Sequence, residues 1–136
     1  MKFDRVVSFI LLAVLSGDVR SDFSLQGSWR SNSELTIQSI KSVRELSRES
    51  LDAYKRMFGN MTLEFSDKGV VVDHKIPGAK QLSYAYRIIS QSPTHITVEY
   101  GDPDDPEERV DYLIEAACIK RKMPGDEWFE YWCRVE

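Results

Sequence analysis

Histidine is nearly missing from this chain: 136 residues contain two, His74 and His95. Neither lies in an H-E-x-x-H arrangement, and only Asp73 beside His74 offers a third donor, so they read as strand or turn residues facing solvent rather than metal ligands. G-x-S-x-G, P-loop and dinucleotide-binding glycine patterns are all absent, which removes the common signatures of serine hydrolases, NTPases and Rossmann enzymes. With no nucleophile, base or metal cluster in view, the expectation is a non-enzyme that needs no cofactor and no metal. Positive charge is also short. The 18 basic residues face 22 acidic ones, a formal net charge of −4, which disfavours nucleic acid and anionic lipid as partners. The one dense basic cluster, "KRK" at 120–122, reads as the solvated end of a hairpin. Long apolar runs are lacking too. The longest, Val6–Leu15, holds about ten residues where a membrane span needs about 20.

That short run has a purpose of its own. Lys2 and Arg5 precede it, and Ser16 and Gly17 follow, which is the layout of a secretory signal peptide. Cleavage falls between Gly17 and Ser21, so residues 1–21 are assigned to the signal and 22–136 to one domain. "LSGD" approaches a bacterial lipoprotein box, but Asp18 stands where the lipidated cysteine is required. The chain is therefore expected to be secreted or periplasmic, and without a lipid anchor. Its hydrophobic content of 42% suffices for a single buried core at this length.

The two cysteines, Cys118 and Cys133, both lie in the exported part. An even count in an oxidising compartment favours a disulfide, with a catalytic or metal-bound thiol as the competing reading.

From Leu35 the apolar residues follow a helical period: Leu35, Ile37, Ile40, Val43 and Leu46, with Asn32 or Ser33 as cap. A second stripe, Leu51, Tyr54 and Phe58, starts after Ser47 and ends at Gly59. After Gly59 the period becomes two. "MTLEF", "VVVDH", "LSYAYRII", "THITVEY", "RVDYLIEAACIK" and "EWFEYWCRV" are separated by turn chemistry rich in Gly, Pro and Asp. With the stretch around Trp29 they make seven strands of an antiparallel meander. The fold class is α+β, mainly β, with a helix pair inserted after the first strand.

Register sharpens the last hairpin. A four-residue loop, Pro124–Glu127, pairs Met123 with Trp128 and sets Cys118 opposite Cys133. Cys133 then shares a face with Phe129, Tyr131 and Val135, while Trp128, Glu130, Trp132 and Arg134 share the other. If the cysteine face points inward, the tryptophans lie outside, under the helices or as a binding surface. If it points outward, the tryptophans line the interior.

A meander of this length must protect its edges, and curling into a barrel does so. Gly27 would let the first strand bend while Trp29 plugs one end. This G-x-W resembles the first strand of the lipocalin (calycin-type) families. The stretch is similar more specifically to small exported bacterial lipocalin-like proteins, in Trp29, Ser31, Asn32, Glu34, Leu35 and Thr36, then Phe58, Gly59 and Thr62. The resemblance implies a small lipocalin-like barrel, a late-strand arginine packed across the tryptophan, for which Arg134 is the candidate, and a small apolar ligand inside. Against a cavity stand Phe65, Tyr84, Tyr86, Phe129 and Tyr131, which as inward aromatics would fill a barrel this small. Two functions follow. One is a non-enzymatic binding protein. The other is a protein-interaction module, of inhibitor or immunity type, whose surface is the aromatic hairpin and the acidic loop "GDPDDPEE". Tyr84, Tyr86, Trp128 and Trp132 are the candidate ligand or partner residues.

Overall fold

The structure, a computed structural model, describes residues 23–101 and 108–135. The assigned signal peptide and residues 102–107 of the acidic loop lie outside the described residues. The elements run β1 (Gly27–Ser31), α1 (Ser33–Lys41), α2 (Arg48–Met57), β2 (Met61–Ser66), β3 (Gly69–His74), β4 (Leu82–Tyr84), β5 (Tyr86–Gln91), β6 (His95–Tyr100), β7 (Glu108–Glu115), β8 (Cys118–Lys122) and β9 (Phe129–Arg134). All nine strands belong to one antiparallel sheet, in the order β4-β3-β2-β1-β9-β8-β7-β6-β5.

The two edge strands of that sheet are consecutive in the chain. β4 pairs with β3, β5 pairs with β6, and Ala85 alone joins them. One extended segment therefore changes partner at Ala85, where Gly101 N–H donates to the Ala85 carbonyl at 3.0 Å. The sheet rolls into a nearly closed barrel, and its last gap is bridged by the chain itself. This corrects the expected strand number, since "LSYAYRII" is two strands. "RVDYLIEAACIK" is two as well, a hairpin turning at Ala116–Ala117 and pairing Glu115 with Cys118. Ala116 takes a φ of +53°, a conformation that costs a non-glycine residue about 1–2 kcal/mol.

Both helix starts follow their caps. The Asn32 side chain accepts from Leu35 N–H at 2.9 Å, and Ser47 Oγ accepts from Ser50 N–H at 3.1 Å. Gly59, at φ +95°, ends the excursion, and Ser31 Oγ accepts from its N–H at 2.6 Å. Ser31 thus clasps the point where the helix pair returns to the sheet. α1 ends at Lys41, short of the expected Leu46, and α2 buries no residue fully.

α1 closes a gap in the wall. β1 stops at Ser31, opposite Trp132, which leaves the earlier half of β9 without a strand on that side. Asn32 N–H donates to the Tyr131 carbonyl, Tyr131 N–H to Thr36 Oγ1 (3.0 Å) and Phe129 N–H to Ser39 Oγ (2.8 Å). Two hydroxyls one helical turn apart replace a strand's carbonyls. Thr36 is fully buried for that reason.

Inside the barrel Trp29, Leu63, Phe65, Val70, Ile96, Val98, Val110, Tyr112, Ile119 and Trp132 form the main core. A second cluster, Ile40, Phe58 and Trp128, lies under the helix pair and is extended by Tyr54. Among the described residues no helix is long and apolar enough to cross a membrane.

Candidate ligand-binding cavity

The β8–β9 hairpin decides what the barrel holds, because its inward residues meet both ends of the interior. Its register is Cys118–Cys133, Ile119–Trp132, Lys120–Tyr131 and Arg121–Glu130. Ile119, Trp132 and Glu130 are buried, so the tryptophan face points inward and the cysteine face outward. Phe129 and Tyr131 lie on the outer face and do not fill the barrel. Lys120 covers their rings at 4.9 and 5.4 Å. The two tryptophans do not form one surface: Trp132 enters the main core, while Trp128 packs edge-on against Phe58 at 6.0 Å beneath the helices. Both are buried, so the aromatic partner surface expected of this hairpin is not exposed.

The outer face carries the Cys118–Cys133 disulfide. Asn32 Nδ2 approaches Cys133 Sγ at 3.6 Å, which sets the bridge beside the cap of α1.

At the Arg134 end of β9 the barrel is shut. Trp29 is buried, and its Nε1–H donates to the Leu25 carbonyl at 2.9 Å. The Arg134 guanidinium lies 4.3 Å above the Trp29 ring. It donates to the carbonyls of Gln26 (2.9 Å) and Ser24, which holds segment 23–26 against the core. Gly27 takes φ +119°, and a Cβ there would stand 3.0 Å from the Arg134 guanidinium. The G-x-W spacing therefore has a steric cause: the glycine makes room for the arginine that caps the tryptophan.

The other half is hollow. A cavity of about 330 Å³ is lined by Met61, Leu63, Val72, Tyr84, Tyr100, Glu108, Tyr112, Arg121 and Trp132. Arg121 is the inward member of "KRK", so that cluster is not simply a solvated hairpin end; Lys120 and Lys122 flank it on the outer face. Arg121 Nε donates to Glu130 Oε1 at 3.1 Å and Nη1 to Glu108 Oε1 at 3.3 Å. Burial opposes the Arg121 charge, but Glu130, Tyr112 and Glu108 together hold its pKa above the ordinary value. Tyr100 and Tyr112 join hydroxyls at 2.7 Å. Burial drives the Tyr100 phenol well up and pushes Tyr112 up to about 12, so both are neutral donors at physiological pH.

Tyr84 lies at the margin of this cavity, on the strand that pairs with β3, and is exposed. Tyr86, two residues on, is not part of the lining. It packs edge-on against Phe65 at 5.1 Å and donates to the Ser66 carbonyl. Arg121, Glu130, Tyr100 and Tyr112 are the polar residues that sequence reasoning missed. The register supplied a signal, since pairing Met123 with Trp128 also sets Arg121 opposite Glu130 on the Trp132 face. Two further hollows, about 420 Å³ against the β2–β3 turn and about 450 Å³ between the helices, are lined mostly by exposed residues. No group of three or more His, Cys, Asp or Glu side chains is arranged to hold a metal among the described residues.

No protein-family model matches the chain, and comparison with curated proteins and with solved structures likewise finds no match.

Proposed function

We propose that this protein is an exported, non-enzymatic binding protein that holds a small, largely apolar molecule in the Arg121 half of its barrel. The single observation that carries the reading is the asymmetry of the interior. One end is packed with Trp29 and Leu25 and capped by Arg134, while the other keeps about 330 Å³ lined by Leu63, Val72, Met61 and Trp132. Ligand pockets are mostly apolar with a few placed polar groups, and this lining has that composition. The disulfide fits an oxidising compartment, in agreement with the secretory pattern of residues 1–21. The lipocalin-like resemblance of the Trp29 stretch points the same way.

Native mass spectrometry of protein isolated from its own cells, followed by solvent extraction, tests the reading. The expected result is a co-purifying small molecule released by solvent. A bare protein that also binds no apolar fluorophore would remove it.

A further inference from the structure

The charges around the cavity are unequal, and the inequality bears on which molecules enter. Glu108 and Glu130 share the single guanidinium of Arg121, leaving one negative charge in excess among these three groups. Glu130 is buried behind Arg121, whereas Glu108 is exposed at the margin of the cavity. Four aromatic side chains, Tyr84, Tyr100, Tyr112 and Trp132, belong to the lining.

An anionic ligand at Arg121 would sit beside the two carboxylates that already hold the guanidinium, and would either be repelled by them or displace one. Losing Glu130 as a partner would leave that buried carboxylate uncompensated, which is strongly unfavourable. A cation leaves the Arg121–Glu130 pair in place. It meets the Glu108 carboxylate and the electron-rich faces of the tyrosines, an interaction favoured for ammonium groups. The volume sits at the lower end of small-molecule pockets, about 300–1,000 Å³, so the body of the ligand is short.

We propose that the cavity takes a small amphipathic amine, with its apolar end against Leu63, Val72 and Trp132 and its ammonium group at Glu108 beside the tyrosine rings. The proposal rests on the binding function above and specifies its ligand class. Isothermal titration near neutral pH with 3-phenylpropylamine, 3-phenylpropan-1-ol and 3-phenylpropionate isolates the head group, because the three share one body. The amine is expected to bind about fivefold more tightly than the alcohol, the size of a partly exposed cation–aromatic and ion-pair contact. The propionate is expected to bind most weakly. Glu108→Gln, checked for its fold by circular dichroism, should erase the gap between amine and alcohol. Equal affinities, or a preference for the propionate, would overturn the amine assignment while leaving a binding cavity in place. If none of the three binds, the amine assignment falls, and co-purification decides the binding function separately.

Discussion

Two arginines on the inner-face register of the β8–β9 hairpin do different things. Arg134 and Glu130, the partner of Arg121, are four residues apart on β9, a span of about 13 Å. At one end the guanidinium lies on Trp29 and donates to two backbone carbonyls, so it is part of the wall. At the other it is held by two carboxylates beside open volume, with neutral phenols nearby. The lesson is that an inward arginine closes or equips a barrel according to what the chain folds beneath it. Segment 23–26 fills the Arg134 end; among the described residues no equivalent segment lines the cavity at Arg121.

Truncating a side chain at each end should break this comparison most visibly. Trp29→Ala is expected to lose about 3–5 kcal/mol of stability, because a large buried ring at the shut end cannot be replaced by collapse. Tyr84→Ala, at the exposed margin of the hollow end, should lose less than about 1 kcal/mol yet weaken binding of an apolar probe. Chemical unfolding followed by tryptophan fluorescence and probe titration read the two effects separately.

The disulfide ties β8 to β9 between the two ends. Its closed loop, with a sequence separation of 15, corresponds to about 3 kcal/mol on the chain-entropy account. Unfolding free energies with and without reductant should differ by that amount, and both ends should loosen together. Gly27→Ala acts at the shut end alone. Its positive φ and the nearby guanidinium predict a loss of about 1–2 kcal/mol, measured as a shifted midpoint.

A further effect belongs to the hollow end and appears only in alkali. Tyr112 is held protonated in the fold, with its pKa raised above the ordinary 10.0 to about 12. The unfolded chain therefore ionises first. The stability this contributes is complete below the unfolded value, falls as pH rises beyond it, and is lost through the folded value. The melting temperature should drop between about pH 10 and pH 12, and Tyr112→Phe should flatten that drop. An equal slope in both proteins would show that Tyr112 is not buried as described.

How much of this was legible beforehand depended on whether local chemistry had one outcome. The alternation in "MTLEF" and "THITVEY", the cap at Ser47 and the Cys118–Cys133 register each did, and the structure has them; of the two caps open for the first helix, Asn32 or Ser33, it takes Asn32. The hairpin at Ala116–Ala117 was hidden because alanine is a poor turn residue, and its left-handed conformation is imposed by the flanking pairing. The break at Ala85 was hidden because the segment stays extended on both sides and merely changes partner. The inward face of β9 was undecidable from pattern, since the outer face carries Phe129 and Tyr131 under Lys120 and both sides are therefore rich in apolar groups. Arg121 was misread for a related reason: three basic residues in a row look solvated until β-alternation sends the middle one inside.

The claim that the Arg121 half of the barrel is a binding cavity is tested most directly by filling it. Val72 lines the hollow and lies opposite Leu63 in the sheet. Titration with the neutral fluorophore N-phenyl-1-naphthylamine should show saturable one-site binding to the protein. It should show none to Val72→Phe, whose circular dichroism should match the parent. Unchanged binding by Val72→Phe, or no binding by the parent protein, would contradict the account.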